Sequence, residues 1–401
     1  MPVANRDLIR SINQFSILNA IRVAGAISRI EISEVTGQSR ASVTNITALL
    51  IGKNLIYEKE TVDSTQRGRK RVLLALNPDA TFVAGVKLSA LGVSCAVTDM
   101  QAKVKSAIIM PVRTSERPVK FIADLIEEGI RHCVAKARLQ MENISGIGIG
   151  IPGFVDSRTG VCHWTPLYAT GDVPLKDLIH KRFNITTYIE NDSNTVTLAH
   201  QWFGEGRGMD NFLVITIEDG IGMGIVANGQ IYRGARGIAA EFGHVVVDPG
   251  GLACRCGKRG CVEAYTSDFS ILAATRNAIK AGEWDGPEDA NLTIEDVTRA
   301  AREGVPVLRK IFFRAGYFLG IGLAGLVQVF NPSKIIISGQ GVRAGELMFD
   351  ALEKAVAEHT NRELFASVEI VIHKWRDTDW ARGAACLALQ EFYKSPLDRI
   401  H

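Results

Sequence analysis

Apolar residues at Leu8, Ile12, Phe15, Leu18 and Ile21 recur at the spacing of one helix face and predict a first amphipathic helix, with Asn5 placed to cap it. A shorter helix is predicted for SRIEISEV, where Ser28 and Glu31 have the capping-box spacing and Gly37 offers a left-handed stop. Gly37 and Gln38 make a turn, and Ser39 caps a third helix whose Val43, Ile46, Leu49 and Leu50 form the buried stripe. Arg40, Ser42, Thr44, Asn45 and Thr47 are expected to face outwards. LIYEKE and then TVDSTQRGRKRVLLAL read as a strand, a loop and a second strand, with Arg67, Gly68, Arg69, Lys70 and Arg71 at the tip. Three helices and a basic hairpin predict a winged helix-turn-helix, its third helix in the major groove and its wing on phosphate or the minor groove. The DNA-reading candidates are Gln38, Ser39, Arg40, Ser42, Thr44 and Asn45 on the turn and third helix, and Arg67, Arg69, Lys70 and Arg71 on the wing. A short polar face with a single charge suits hydrogen bonding to base edges. The competing reading is a helical dimerisation module with a solvated basic loop.

Near Pro78 the pattern changes, which makes residues 1–77 the first domain. FVAGVKLSALGVSCAVTDMQAKVKSAIIMPV alternates apolar runs with turn signals and predicts a three-stranded meander; a helix follows from about Val119 to Gln140. ISGIGIGIPGFVD reads as an apolar strand running into a turn, and TTYIENDSNTVTLAHQWFG as a strand entering a helix capped near Asp192. FLVITIEDGIGMGIVANGQIY then repeats the opening of the first half. The expectation is an internally duplicated α/β body with a cleft between its halves, residues 78–205 and 206–401. Strand, Gly-x-Gly turn and helix in PSKIIISGQGVRAGELMFDAL belong to the second half, whereas the closing helix, near 380–395, is free to pack back on the first.

The formal net charge of +3 argues for no particular partner, but its distribution does. Residues 1–76 carry eleven Lys and Arg against six Asp and Glu, a local charge of +5 that leaves −2 for the remainder, so the basic excess sits with the DNA-reading pattern. Four of the seven cysteines (Cys95, Cys133, Cys162 and Cys386) stand singly, as in a reducing compartment. The other three, Cys254, Cys256 and Cys261, cluster with His244 within eighteen residues. One imidazole and three thiolates are ligands that Zn²⁺ prefers, and four protein ligands leave no position for a catalytic water. A closed structural site with one Zn²⁺ per chain is expected, against the competing reading of ordinary reduced cysteines in a glycine-rich loop. Glu241 and Glu263 flank the ligands, and carboxylates held towards one pocket are good acceptors for sugar hydroxyls. Neither a leader pattern nor a run approaching the roughly 18 apolar residues of a membrane span is read, so a cytoplasmic location without membrane insertion is expected.

The blocks GIGIGIPGFVD, IENDSN, EFGH, CRCGKRGCVE, FNPSKIIISGQG and ARGAA resemble, in this order and over essentially the whole chain, those of the ROK proteins: repressors, open reading frames and sugar kinases. The resemblance implies an actin-like, ribonuclease H-like sugar-kinase fold with a structural zinc loop, preceded in DNA-binding members by a winged helix-turn-helix. It also implies a hexose surrounded by Asn191, Asp192, Glu241, His244 and Glu263, with Gly153 at its border. Asp192 matches the kinases' general base; as alternatives, it caps its helix, and Glu241 or Glu263 is merely solvated.

The phosphate loops depart from the kinase pattern. Where those kinases have Asp-x-Gly-Gly-Thr-Lys, this chain has Lys87 at the Asp position and Ser89, Ala90, Leu91 and Gly92 at the last four. Glu218 and Asp219 stand where Gly-Thr precedes Gly-Ile-Gly, and two anions beside a polyphosphate would repel it by on the order of a few kcal/mol each at an effective dielectric near 20. No catalytic residue is therefore expected. The reading is a sugar-responsive transcription regulator, a repressor similar to the glucose and N-acetylglucosamine types, acting as a homodimer or homotetramer on a palindromic operator. Its rivals are a sugar kinase with an appended DNA-binding domain and a regulator governed by a sugar-transporter protein.

Overall fold

The computed structural model describes residues 6–60, 72–168, 170–287, 292–374, 376 and 378–393. It divides into two compact units, residues 1–208 with 378–401, and residues 209–377. The first unit opens with α1 (Arg6–Ala24), β1 (Ala26–Ser28), α2 (Arg29–Thr36), α3 (Arg40–Gly52), β2 (Ile56–Glu60) and β3 (Val72–Leu76). The three strands form an antiparallel sheet in the order β1-β3-β2 alongside the three helices, and β1 is a strand that three residues were too few to announce.

Local chemistry accounts for the boundaries. The Ser28 amide donates to the Glu31 carboxylate at 2.9 Å while the Ser28 hydroxyl accepts from the Glu31 amide at 3.3 Å, and Gly37 ends α2 at φ 67°. Ser39 caps α3 by accepting from the Ser42 amide at 3.2 Å. Ile17, Leu18 and Ile21 of α1 meet Val43, Ile46 and Leu50 of α3 and Leu74 of β3 in one core. Thr47, expected outside, is buried: its hydroxyl donates to the Thr44 carbonyl and accepts from Arg29 Nε, both at 3.1 Å. At 100° per residue it lies on the side of Val43 and Leu50, and those two hydrogen bonds offset its polarity. Leu49, expected inside, is half-buried. The proposed cap Asn5 and the wing-tip residues Arg67, Arg69, Lys70 and Arg71 lie outside the described residues.

The body of this unit follows as β4 (Phe82–Ser89), β5 (Gly92–Asp99), β6 (Val104–Pro111), α4 (Val119–Lys136), β7 (Ile144–Ile151), β8 (Phe154–Asp156), β9 (Val161–Trp164), α5 (Leu175–Phe183), β10 (Thr187–Asn191) and α6 (Asp192–Phe203). Its main sheet has the order β10-β7-β4-β5-β6: an antiparallel meander on one side of β4, parallel strands on the other. From Gly146 onwards β7 is buried on both faces and reads GIGIGI, a continuous apolar run.

The second unit contains β11 (Phe212–Ile217), β12 (Ile221–Ala227), β13 (Gln230–Ile231), α7 (Glu263–Thr266), α8 (Asp268–Lys280), α9 (Ile294–Arg302), α10 (Pro306–Phe330), β14 (Lys334–Ser338), α11 (Glu346–His359), α12 (Arg362–Ser367) and β15 (Glu369–Ile372). Its sheet, β13-β12-β11-β14-β15, repeats the topology of the first around β11. Contrary to expectation, one segment, α10, is long and apolar enough to cross a membrane. It also supplies Leu319, Leu323 and Val327 to the core against α11 and carries Arg309, Lys310 and Arg314 in its first half, which is the composition of a long core helix. The last helix, α13 (Asp379–Tyr393), returns to the first unit and lies on β4 and β7 beside α6. Gly85 and Gly148 permit this approach, because a Cβ at either would fall on a backbone carbonyl of α13, that of Ala381 or Ala384.

Candidate functional site

His244 ends a short helical turn, Phe242–His244, in the second unit, and the three thiols lie on the loop that follows. Short bridges, Val246 to Cys261 and Ala253 to Arg259, fold this loop back on itself. The Cys254 amide donates to the Lys258 carbonyl at 2.8 Å, and Gly257 turns the chain between the first two thiols and the third at φ 84°. Tyr265 anchors the assembly, stacking on Phe318 of α10 at 3.9 Å and donating its hydroxyl to Asp248 at 2.5 Å. The ligand atoms of His244, Cys254, Cys256 and Cys261 all lie within 4.8 Å of one another.

Bond lengths of about 2.3 Å to sulfur and 2.0–2.1 Å to nitrogen give a tetrahedral zinc site edges of roughly 3.5–3.8 Å. The Cys256 and Cys261 sulfurs are 3.7 Å apart, as are the Cys254 sulfur and His244 Nδ1, so the donor set fits a metal ion and is compatible with zinc. A disulfide would need about 2.0 Å. Burial, and then the neighbouring Cys256 and Cys254 thiols, push the Cys261 thiol up to about 12. Burial also raises Cys254; at Cys256 burial acts upwards too, but the Lys258 amide and the other two thiols outweigh it and lower this group. With Nδ1 facing the cluster, the opposite ring nitrogen of His244 is left for another partner.

Glu263, the first residue of α7, ties this loop to the turn before β12. It is 8% exposed; one oxygen accepts from the Ile221 amide at 3.1 Å, and the other lies 3.7 Å from Arg255 and 3.9 Å from the Cys254 sulfur. Arg255 also donates to the Asp219 carboxylate at 2.7 Å and to the Asp219 carbonyl at 2.9 Å. Asp219, expected to present an uncompensated charge to a polyphosphate, thus has a cation beside it. Arg255 was not singled out from the sequence, although its place between two candidate ligands and the need of Asp219 for a counter-charge were signals for it. Glu241, at the other end of the loop, is exposed.

In the first unit Asn191 caps α6, its side-chain oxygen accepting from the Ser193 and Asn194 amides at 2.9 and 3.3 Å; the cap expected near Asp192 is therefore one residue earlier. The Asn191 amide group donates to the Gly153 carbonyl at 3.2 Å, joining two of the sequence-derived candidates. Asp192 is half-buried and also accepts from Ser193, at 2.9 Å. Glu190, not singled out from sequence, is fully buried and fixes this corner by accepting from the Asn191 amide at 3.0 Å and the Asn194 side chain at 3.1 Å. Lys87 is buried with its ammonium 3.9 Å from the Trp380 ring centroid. The chain after it closes as a tight hairpin, Ser89 opposite Gly92, with Leu91 largely exposed.

Of the candidates in the N-terminal helices, Arg40, Thr44 and Asn45 are exposed on one side of α3, and Ser42 is half-buried. Ser39 is engaged as the cap, and Gln38 bridges to α1 by donating to the Asn13 carbonyl at 3.2 Å. The structure thus separates residues that present polar groups to solvent from those that hold the turn in place.

A family model described as the ROK family matches residues 83–391, well over half of the chain. The chain belongs to the ROK family. Among ROK relatives it is 28% identical to a xylose repressor of Caldicellulosiruptor bescii, over 98% of this chain and 99% of that one. It is 28% identical to the transcriptional dual regulator NagC of Escherichia coli, over 88% of this chain and 86% of that one. Of solved structures, a ROK family transcriptional regulator described as a homolog of the E. coli MLC protein superposes with a TM-score of 0.81 at 28% identity, covering 98% of this chain and 99% of that one. The family's enzymes share the body: a ROK hexokinase from Thermus thermophilus gives a TM-score of 0.65 at 27% identity, over 78% of this chain and 99% of the enzyme.

Proposed function

We propose that this ROK chain is a sugar-responsive repressor of carbohydrate uptake or catabolism genes. The observation that carries the reading is a winged helix-turn-helix built into the same unit as the Asn191–Asp192 corner, in a chain similar over nearly its whole length to a sugar repressor. Arg40, Ser42, Thr44 and Asn45 read bases, helped by Gln38 and Ser39, while Arg67, Arg69, Lys70 and Arg71 contact phosphate or the minor groove. Asn191 and Asp192 in the first unit, with Gly153 beside them, and Glu241 and His244 in the second are the candidates for hydrogen bonds to sugar hydroxyls. Glu263 joins them, because a carboxylate has about four acceptor sites and its known partners leave some over. One structural Zn²⁺, held by His244, Cys254, Cys256 and Cys261, keeps Glu241 and Glu263 in place. The chain works in the cytoplasm as a homodimer or homotetramer, since one reading head covers too little sequence for a specific site.

Sugar binding lowers operator affinity by population shift, and a hundredfold loss requires about 2.7 kcal/mol of differential binding. Titration of the chain on DNA selected from a random duplex library, with D-xylose, D-glucose and N-acetyl-D-glucosamine in turn, tests this. A drop of tenfold or more with one sugar is expected; unchanged affinity with all sugars tried, and release instead by a membrane sugar-transporter protein, would favour the partner-controlled reading.

Phosphoryl transfer is not part of this reading. Lys87 replaces an anion, the Ser89–Gly92 hairpin has neither a cation nor adjacent glycines to cradle phosphate, and Arg255 is already committed to Asp219 and Glu263. Coupled ADP-release assays with the same three sugars are expected to give turnover no higher than an enzyme-free blank; steady turnover would make the chain a kinase with an appended reader.

A further inference from the structure

The DNA reader does not hang on a free linker. Its core is continuous with the ends of two body helices, since Tyr393 of α13, Met100 after β5, and Trp202 and Phe203 of α6 pack with Ile17, Leu18 and Ile21 of α1. At the centre of this junction is Arg22, in the last turn of α1 and 7% exposed. Its guanidinium lies 4.2 Å from the Trp202 ring centroid and 5.6 Å from that of Tyr393, and it donates to the Trp202 carbonyl. Two further donors go to the Asn19 side chain at 3.0 and 2.8 Å. The two rings stack at 5.6 Å, and the Tyr393 hydroxyl donates to the Met100 carbonyl at 3.0 Å. The Trp202 indole nitrogen is buried with no hydrogen-bond partner among the described residues, so stacking and Arg22 locate this ring.

Trp202 also belongs to the helix that starts at the polar corner. Asn191 and Asp192 open α6, Trp202 and Phe203 close it, and about 18 Å separates the ends of twelve helical residues. From Ser193 to Gln201 every residue is buried, and Gly383 brings α13 against the Thr195 backbone, so α6 has no soft surface in which a displacement could dissipate.

We propose that Arg22 is the positioning residue through which sugar occupancy at the first turn of α6 reaches the DNA reader. The inference rests on the sugar-responsive reading above. A shift of α6 along or about its axis moves Trp202 against the guanidinium, and Arg22 carries the shift into α1. From there it reaches the Asn13 carbonyl that holds Gln38, at the entry to α3. The physical requirement is a contiguous chain of packed groups, and each link is a contact described here.

The test uses the full chain with Arg22→Gln, which loses the charge and the broad planar face, and Trp202→Phe, which keeps a ring against Tyr393 but shrinks the surface Arg22 covers. Operator affinity is measured without sugar and with saturating D-xylose, D-glucose or N-acetyl-D-glucosamine, and sugar affinity by thermal shift. Where the parent chain loses tenfold or more in operator affinity with a sugar, both variants are expected to lose less than threefold, while their sugar affinity stays within about threefold of the parent's. The ratio is decisive, because a merely structural role lowers both operator affinities and leaves the ratio intact. A full sugar response in a folded variant overturns the role of Arg22, and two independent variants keep the test open if one fails to fold. A parent chain that no sugar affects overturns the underlying reading instead, and this coupling with it.

Discussion

Cys261→Ser is expected to abolish stoichiometric zinc binding and to destabilise the second unit by on the order of 5 kcal/mol, part of the roughly 10–16 kcal/mol with which structural zinc binds small peptide sites. The four candidate ligands sit on a segment with little regular structure, held by two short bridges, so a bound metal would supply cross-links that the backbone does not. Elemental analysis and thermal unfolding check this, with Cys386→Ser as the control: that thiol is also buried, but in α13 and far along the chain from the ligands, so its replacement affects packing without removing zinc. Retention of full zinc by Cys261→Ser would contradict the ligand set. The same site predicts a pH dependence. Burial holds Cys254 and Cys261 above the ordinary thiol range, so both carry protons at neutral pH. Zinc binds the thiolates, protons are released on binding, and affinity therefore falls as pH falls, by about tenfold per unit for each proton displaced. Chelator competition at pH 6 and pH 8 is expected to strip the metal more readily at pH 6.

Gly148→Ala should cost roughly 3 kcal/mol, the upper end of ordinary overpacking penalties. The added methyl would fall on the Ala384 carbonyl, and a helix backbone seated on a sheet can yield only by moving as a body. Gly85→Ala, directed at the Ala381 carbonyl, is expected to be nearly as costly. At Gly146 the nearest atom is the Ala388 side-chain methyl, 2.8 Å from the added carbon, so a smaller loss follows. Gly52→Ala meets nothing within 4 Å and should be neutral or slightly stabilising. Denaturant unfolding of the four variants gives this order, and equal losses at all four would dissociate the glycines from the seating of α13.

Much of the chain was legible because its signals are short-ranged. The capping box at Ser28 and Glu31, the cap at Ser39 and the left-handed Gly37 each act within four residues. The four residues of the His/Cys cluster lie within eighteen positions, so a group that could hold a metal ion was visible from spacing alone. The duplicated sheet showed itself because strands buried on both faces are written as apolar runs twice over.

What was missed involves partners distant in sequence. Thr47 was placed outside because a hydroxyl looks solvent-seeking, and only Arg29 and the Thr44 carbonyl make its burial tolerable. Arg255 was not singled out because only the folded loop brings it beside Asp219 and Glu263, the latter buried against the Ile221 amide. The apolar run of α10 escaped notice because basic residues and glycines interrupt it, and its core role became visible only with α11 packed against it.

The sequence by itself therefore determined the elements, their caps, the clustering of His244 with three cysteines and the family blocks, since each depends on the spacing of residues near one another along the chain. Only the tertiary structure decided that α13 returns to the first sheet, that Arg255 compensates Asp219 and Glu263, and that Arg22 joins the reader to the ends of α6 and α13. Arg22 and Trp202 are 180 positions apart, and no local propensity registers a contact whose stability comes from burying two distant surfaces together.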